Sequence, residues 1–469
     1  MTDMPRRLLL VGLVVAVGCA TNPATGERQL ILMSEAAEIQ MGLQQDEALV
    51  GSGAVVDAPE LTAYIDAIGQ RMAGASERPD LPWAFRVMDD GGVNAFAMPG
   101  GFIYVTRGIL AHLTSEAQLA TVLGHEIGHV TARHSVEQMS RAQVAQLGYG
   151  VAGVLAPDYA GLLGMPLQLL FLSYSRADES QSDDLGLRYM TRVGYDPRPA
   201  PAVFEMLGRA SGGGQRIPEW QSTHPDPSRR AGALREAIAS MPIPADARVA
   251  QVEYTRMLDG LMYGANPREG FFRDGEFLHP DLAFRIRFPE GWSAQNGRTA
   301  VQAVSPQEDA LVGITVAQGD TPEEAARAFY AQKEVAGSQP RRVTVGGLEG
   351  VAGSFEITDG SQRLPGRGLW LQTGGTVLFF VGVGSEVGWQ RHAGTIGSAL
   401  DSIARVTDRE VLDVQPDSIE VVVLPGPMTV EEFARRYPSV VAVEELIQIN
   451  QWYDGAQLPA GTAVKRVVR

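Results

Sequence analysis

Apolar residues recur at helical spacing along the first half of the chain. After Asp57 and Pro59, which are typical of a helix start, the first series comprises Leu61, Tyr64, Ile65, Ile68 and Met72. Ser115 and Gln118 form a capping-box pattern ahead of a second series, which comprises Leu119, Val122, Leu123, Ile127 and Val130. Residues 30 to about 245 are therefore predicted to be rich in helix.

Strand-like patterns interrupt this region and then follow it. Two short apolar runs, Trp83–Met88 and Phe102–Val105, flank a connection rich in Gly and Pro. From about residue 280 the chain contains apolar, strand-like runs in which apolar and polar residues partly alternate: LAFRIRFPEGW, LVGITVAQ and TVLFFVGVG. Helical patterns occupy 322–335 and 389–403. We predict an α+β fold, with a helix-rich domain that holds a small edge-strand sheet, then an α+β domain and a small βααβ unit.

These shifts divide the chain into segments. The predicted boundaries are a signal peptide at 1–18, a helix-rich domain at 19–245, a linker at 246–279, an accessory domain at 280–408 and a C-terminal domain at 418–469.

Charge and cysteine content narrow the function classes. The 469 residues carry a net charge of -16, and so acidic a surface repels phosphate backbones, which argues against nucleic acid as a partner. A single cysteine allows no intrachain disulfide.

That cysteine, Cys19, ends an N-terminal targeting pattern. Two arginines precede the apolar run Leu8–Val17, which is too short to span a bilayer. The segment resembles the bacterial lipoprotein signal, although Ala16 stands where a large aliphatic residue is usual. The resemblance implies a lipid on Cys19 and, because Ala20 and not aspartate follows, a periplasmic protein anchored to the outer membrane. The alternative is an ordinary cleaved signal.

The segment HEIGHVTARH, residues 125–134, lies on the second predicted helix. His125 and His129 are four residues apart and so share one helix face, with Glu126 beside them. This arrangement binds zinc through both histidines and uses the glutamate as general base. A solvated helix face is the alternative, but the flanking apolar pattern predicts burial, which would be costly for these groups without a metal. His134 lies too far round the helix to bind the same ion, and we interpret it as structural.

A catalytic zinc needs a third protein ligand and an open position. In YSRADESQSDDLG, Glu179 and Asp183 are four apart on a predicted helix. Glu179 is the candidate third ligand, and Asp183 would accept a hydrogen bond from the far nitrogen of a histidine ligand. Taken alone, the segment would indicate a solvated acidic helix start.

Four motifs together resemble one peptidase family. NAFAMPGG, HEIGHVTARH, SRADESQSD and THPDPSRR, in that order, are similar to the gluzincin family of HtpX, the CaaX prenyl proteases and their lipoprotein relatives. CATNPATGERQLILMSEAAEIQMG resembles the mature start of those lipoproteins. The similarity covers about residues 19–240 and implies a zincin-like peptidase domain with one zinc ion. Gln181 and Ser182 depart from the family's usual Glu-Ala, and the sequence lacks the long membrane helices of the HtpX and prenyl-protease branches.

The resemblance also implies a substrate-binding strand. In that family the strand carrying NAFAMPGGFIYV pairs with extended substrate backbone, a form of β-augmentation. This implies Asn94, Ala95, Phe96 and Ala97 as substrate-binding residues. A plain buried strand and turn is the alternative.

His224 is a further candidate catalytic residue. Pro225 and Pro227 make its segment a stiff loop, and the matching histidine of the family lies near the zinc. His224 could occupy the open zinc position and keep the enzyme latent, or it could donate a hydrogen bond to the oxyanion. A surface loop histidine is the third possibility.

The later segments carry weaker resemblances. Residues from about 280 resemble the PsbP-like α+β domains that follow some such peptidases. The tail resembles a degenerate LysM module, which implies peptidoglycan as a second partner. However, Gly426-Pro427-Met428-Thr429 replaces the usual Gly-Asp-Thr, so a structural cap is the alternative.

These observations predict a hydrolase, a zinc-dependent metalloendopeptidase of the bacterial envelope. Its predicted substrates are extended or misfolded periplasmic and outer-membrane proteins, which makes it a protein quality-control enzyme. One alternative is an outer-membrane protein assembly or chaperone factor with a latent protease site. A structural zinc protein is the other, and Glu126 argues against it because a structural site has no use for a general base.

Overall fold

The chain forms two compact units. The computed structural model describes residues 19–148, 173–210, 224–297, 300–360, 362–453 and 457–469. The first unit combines Met1–Ala265 with the tail Asp417–Arg469, and the second unit is Asn266–Pro416. The predicted signal peptide, residues 1–18, lies outside the described residues.

This division differs from the predicted domain boundaries at both ends of the second unit. The segment predicted as a linker, 246–279, contains the helix Gln251–Met257, whose Tyr254 is buried in the core of the first unit. Ile419 of the tail belongs to the same core. The tail therefore shares a hydrophobic core with the helix-rich half of the chain, a pairing that no local pattern reveals.

Helices dominate the first unit. Before the tail they are α1 (Glu35–Gly51), α2 (Pro59–Gly74), α3 (Arg107–His112), α4 (Glu116–Thr131), α5 (His134–Gly148), α6 (Arg176–Arg192), α7 (Ala200–Ala210), α8 (Pro227–Ala239) and α9 (Gln251–Met257). At the start of α4 the Ser115 hydroxyl accepts a hydrogen bond from the Gln118 amide, 3.2 Å away. The Gln118 side chain accepts from the Thr114 amide instead of the Ser115 amide. One of the two predicted capping-box bonds therefore forms.

The strands of the first unit, before its tail, make a hairpin and a small sheet. They are β1 (Cys19–Thr21), β2 (Arg28–Leu30), β3 (Ala84–Met88), β4 (Ala95–Met98) and β5 (Phe102–Thr106). Strands β1 and β2 pair antiparallel as the N-terminal hairpin. The sheet has the order β3-β5-β4, with β3 parallel and β4 antiparallel to β5. Strand β4 therefore lies at an edge, and it packs against α4.

Glycines allow α4 and α6 to pack closely. Every residue of α4 is buried. A methyl group added to Gly186 on α6 would lie 2.9 Å from the backbone carbon of Gly124 and 2.9 Å from the backbone nitrogen of His125. On α4, a methyl group at Gly128 would lie 2.9 Å from the carbonyl oxygen of Ser182. Helix α6 therefore lies directly against the part of α4 that carries the histidines.

The second unit is built mainly of strands. Its helices are α10 (Pro322–Tyr330), α11 (Glu386–Asp401) and α12 (Arg409–Leu412), with a 3-10 turn at Pro267–Glu269. Its strands are β6 (Phe271–Arg273), β7 (Glu276–His279), β8 (Phe284–Arg287), β9 (Ser293–Asn296), β10 (Ala300–Val304), β11 (Ala310–Val316), β12 (Val335–Gly337), β13 (Arg341–Val345), β14 (Leu348–Asp359), β15 (Gln362–Thr373), β16 (Thr376–Gly384) and β17 (Ala404–Arg405). An eight-stranded antiparallel sheet has the order β12-β14-β15-β16-β11-β10-β9, with β13 also paired to β14, and a four-stranded sheet has the order β17-β8-β7-β6. The α+β prediction is confirmed.

The tail has the predicted order of elements. It contains β18 (Ser418–Val423), α13 (Val430–Arg436), α14 (Val443–Asn450) and β19 (Ala463–Val468), with β18 and β19 paired antiparallel. The buried amino group of Lys465 donates to the carbonyl oxygens of Ala111 and Leu113, at 2.7 and 2.6 Å. These bonds connect the tail to the C-terminal end of α3.

Within the described part of the chain, none of the helices combines the length and the apolar composition that a bilayer span requires.

Candidate metal centre

Helix α4 presents two imidazoles to one point. His125 and His129 are one turn apart, and their Nε2 atoms lie 3.0 Å from each other. Both side chains are buried, with 3% and 1% of the residue surface exposed. Two ring nitrogens that converge in a water-poor interior are the arrangement in which imidazole binds a metal ion.

Helix α6 supplies a carboxylate to the same point. The close packing against α4 brings Glu179, which is 2% exposed, to 3.6 Å from His125 Nε2 and 3.5 Å from His129 Nε2. Burial by itself raises the pKa of Glu179, but His224 and a hydrogen bond with His129 outweigh it and hold that pKa well below the usual range. The carboxylate is therefore ionised, as a metal ligand must be.

His224 joins this cluster. Its Nδ1 lies 2.9 Å from Glu179 Oε1 and 3.3 Å from His125 Nε2, and the residue is 1% exposed. One donor atom from each of His125, His129, Glu179 and His224 lies within 4.8 Å of the others. Three imidazole nitrogens and one carboxylate oxygen are a donor set that suits tetrahedral zinc. The residues present therefore fit the ion.

Asp183 lies behind the first histidine. Its Oδ1 is 2.9 Å from His125 Nδ1. If Asp183 accepts the proton of Nδ1, His125 Nε2 keeps its lone pair for a metal. Burial alone would raise the pKa of Asp183, but the Arg230 guanidinium lowers it.

Arg230, on α8, is a site residue to which the sequence analysis assigned no role. Its Nε and Nη2 donate to the two oxygens of Asp183 at 2.8 and 2.6 Å, and its Nη1 forms an ion pair with Glu179. One guanidinium thus orients the carboxylates of Glu179 and Asp183. The run "RR" after THPDPS was the available signal, but nothing in it distinguishes Arg230 from Arg229.

Glu126 lies beside the cluster and is 1% exposed. Its Oε1 has no hydrogen-bond partner among the described residues, and His224 Nε2 is 3.8 Å away. Burial raises the pKa of Glu126 above its ordinary value. A buried carboxylate with an unused oxygen beside a donor cluster has the position that a general base needs.

Two aromatic side chains, His134 and Tyr174, lie against His129. His134 is not part of the donor cluster, and its Nδ1 lies 2.9 Å from His129 Nδ1. Tyr174 stacks on His129 with ring centroids 3.9 Å apart, and its hydroxyl lies 2.7 Å from the Ser135 hydroxyl. The sequence analysis assigned no role to Tyr174, because it lies just before the acidic helix start and no motif marks it.

The residues predicted to bind substrate lie on or next to edge strand β4. Ala95 and Ala97 are buried, whereas Phe96 is partly exposed and stacks on Tyr104 with centroids 4.9 Å apart. The Asn94 amide donates to the Thr106 hydroxyl at 3.0 Å. This part of the chain is therefore held firmly from the β5 side, and the opposite side of β4 pairs with no strand of the described sheet.

The comparisons with known proteins agree with this geometry. The model of "Peptidase family M48" matches residues 59–238. The mitochondrial metalloendopeptidase OMA1 of Arabidopsis thaliana is 37% identical over 166 residues, which cover 35% of this chain and 33% of that protein. The beta-barrel assembly-enhancing protease of Escherichia coli (strain K12) is 30% identical over 233 residues, which cover 47% of this chain and 48% of that protein. The matches thus cover between a third and a half of these relatives' own length. Because M48 peptidases are zinc-dependent and the donor set fits, the zinc prediction is confirmed.

Among solved structures, cyanobacterial PsbP from Synechocystis sp. PCC 6803 is similar over 28% of this chain and 91% of its own, with 9% identity and a TM-score of 0.22. A score this low supports no argument, so the PsbP-like assignment of the second unit stays a prediction.

Proposed function

We propose that the chain, whose residues 59–238 match the model of peptidase family M48, is a zinc-dependent endopeptidase of the bacterial cell envelope. The observation that carries the proposal is the convergence of four buried donors beside Glu126. His125, His129 and Glu179 would hold the ion. A purely structural zinc site would not require a buried carboxylate with an unused oxygen next to it.

The chemistry follows from the chain's own groups. A zinc ion held by His125, His129 and Glu179 would supply a Lewis acid, which would polarise the scissile carbonyl and lower the pKa of a water molecule. Glu126 accepts the proton of the attacking water at Oε1 and then delivers it to the leaving nitrogen. Asp183 and Arg230 keep His125 and Glu179 in position, so that neither ligand has to reorganise during the reaction.

We propose that His224 is a plug, meaning a side chain that occupies the open zinc position and keeps the enzyme latent. With one ring nitrogen among the donor atoms, it can fill the fourth position and so exclude the water that would attack. The alternative is donation of a hydrogen bond to the oxyanion, which requires the ring to move away from Glu179. The convergence of a His224 ring nitrogen with the donor atoms of His125, His129 and Glu179 supports the plug.

The proposed substrates are extended or misfolded envelope proteins. An edge strand such as β4 can hydrogen-bond any extended backbone and therefore selects for unfolded segments and not for a sequence. The name of the Escherichia coli relative, beta-barrel assembly-enhancing protease, supports outer-membrane proteins as the class. We place the enzyme in the periplasm and propose a lipid on Cys19 as its outer-membrane anchor. Mass spectrometry of the mature N-terminus tests the anchor, and an unmodified N-terminus at another residue would contradict it.

For the tail, we propose a structural role in the first unit over peptidoglycan binding. The buried bonds of Lys465 to α3 and the shared core at Ile419 support this choice. Sedimentation with insoluble peptidoglycan is the direct test, and retention of the full-length protein would favour the glycan site.

The enzymatic proposal is tested with Glu126→Gln. This variant removes a proton acceptor but no proposed ligand, so it should keep one zinc per chain and lose proteolysis by a factor of about 100 or more. Metal content and cleavage of an unfolded outer-membrane protein are measured on the same preparation. A metal-loaded variant with full, chelator-sensitive activity would refute the role of Glu126. A wild type that binds zinc and promotes assembly without cleaving would favour the assembly factor.

A further inference from the structure

Among the described residues, the side of His129 that carries Nδ1 faces another histidine, His134. Whereas Asp183 lies against Nδ1 of His125, Nδ1 of His129 lies 2.9 Å from Nδ1 of His134. His134 is 3% exposed, and the Ser182 hydroxyl lies 3.3 Å from the same His134 nitrogen. His129 thus differs from His125 in what holds its ring.

The other nitrogen of His134 faces Gln181. Its Nε2 lies 2.9 Å from Gln181 Oε1, whereas the nearest Asp178 oxygen is 3.8 Å away, beyond hydrogen-bond reach. Gln181 Oε1 also accepts a bond from the side-chain amide of Asn22, at 3.3 Å. Asn22 is 1% exposed and lies in the N-terminal hairpin, immediately after β1.

One assignment of protons satisfies these contacts. If His129 Nε2 keeps its lone pair for the metal, its Nδ1 carries the proton and donates to His134 Nδ1. Neutral His134 then carries its own proton on Nε2 and donates to Gln181 Oε1, which has no proton and can only accept. The amide of Asn22 donates to that same oxygen. Each of these hydrogen bonds then has a defined donor and acceptor, and none of the four side chains needs a charge.

We propose that Gln181 and His134 are positioning residues of the zinc site, which fix the tautomer and ring orientation of His129 and connect it to the N-terminal hairpin through Asn22. The proposal deepens the proposed function and rests on it, because it concerns a ligand of that site.

The experiment measures zinc affinity of the full-length protein by competition with a chromophoric chelator, together with the melting temperature of the metal-free form. Gln181→Met removes the accepting oxygen at similar volume, and His134→Phe removes both ring nitrogens. Gln181→Glu restores an acceptor at the same place. The matched control is Gln29→Met. Gln29 lies in the N-terminal hairpin, as Asn22 does, and its side chain donates to the Ala132 carbonyl at the end of α4, 3.0 Å away.

Gln181→Met and His134→Phe should each weaken zinc binding by about tenfold or more, the usual effect of losing a partner behind a metal ligand. The zinc affinities of Gln181→Glu and Gln29→Met should stay within about threefold of that of the wild type. Gln181→Glu keeps an oxygen that can accept from His134, and Gln29→Met leaves Gln181 itself unchanged. The double variant Gln181→Met with His134→Phe should bind zinc about as weakly as His134→Phe alone. The effects of two residues that act through one series of hydrogen bonds are not additive.

The outcomes separate the two levels of the proposal. Equal zinc affinity of Gln181→Met and Gln29→Met, with the same loss of melting temperature, would reduce Gln181 to a packing residue and overturn the inference. Multiplied effects in the double variant would also overturn it. A wild type that binds no zinc would instead overturn the proposed function, and this inference with it.

Discussion

Substitution of Gly186 by alanine should push apart the two helices that form the metal centre. The added methyl carbon would lie 2.9 Å from backbone atoms of Gly124 and His125, whereas non-bonded carbon atoms pack at about 3.5 to 4.0 Å. Backbone atoms cannot rotate away as a side chain can. Helices α4 and α6 must therefore separate by about 0.6 Å or more, and overpacking of this kind costs about 1–3 kcal/mol of stability.

The same displacement should weaken zinc binding. Asp183 and Glu179 move with α6, so the 2.9 Å contact between Asp183 and His125 would lengthen to about 3.5 Å, past the range of a good hydrogen bond. We expect zinc affinity to fall by about tenfold or more. Chelator competition measures the affinity, and urea unfolding of the metal-free protein measures the stability.

The chain offers a matched control in Gly232. This residue lies within α8, and a methyl group added to it would meet no atom within 4 Å. Gly232→Ala should therefore leave zinc affinity unchanged and raise stability by about 0.5–1 kcal/mol through the loss of backbone freedom in the unfolded chain. If Gly186→Ala behaved like Gly232→Ala in both measurements, the close contact between α4 and α6 would not be what positions the ligands.

Three further predictions concern the plug, the tail and acid stability. His224→Ala should speed cleavage of an unfolded substrate if the histidine is a plug, whereas a fall in turnover of about a hundredfold would indicate the oxyanion role. Lys465→Met leaves the carbonyl oxygens of Ala111 and Leu113 without this donor and should lower the free energy of unfolding by about 2 kcal/mol or more. Hydrogen exchange should show the tail and α4 unfolding in one transition, whereas separate transitions would show an independent tail. Although burial opposes it, pairing with Arg248 and bonds from Tyr195 and Tyr64 lower the pKa of Glu116 to about 2. Because the unfolded chain then binds more protons, stability should fall as the pH drops from about 5 to about 2, by at most about 3 kcal/mol since Arg248 is half exposed. Glu116→Gln should flatten this acid slope, and an unchanged slope in urea unfolding would contradict the assignment.

The sequence by itself determined the parts of the site that depend on local geometry. The four-residue spacing of His125 and His129 places both on one face of any helix, and the same holds for Glu179 and Asp183 on theirs. The apolar series around HEIGH predicted burial, and α4 is buried along its whole length. These conclusions need only the 3.6-residue period of the helix and the cost of burying charge without a partner.

The tertiary structure decided which distant groups meet. Arg230 contacts Glu179 and Asp183 of α6 because α8 packs beside that helix, and no spacing in the sequence distinguishes it from Arg229. Asn22 reaches Gln181 across 159 positions of the chain, and Lys465 reaches Ala111 across 354. Such contacts depend on how whole elements pack, which is fixed by the summed burial of many side chains and by close approaches such as Gly186 on Gly124. A local pattern records which groups are available, but only packing determines their partners.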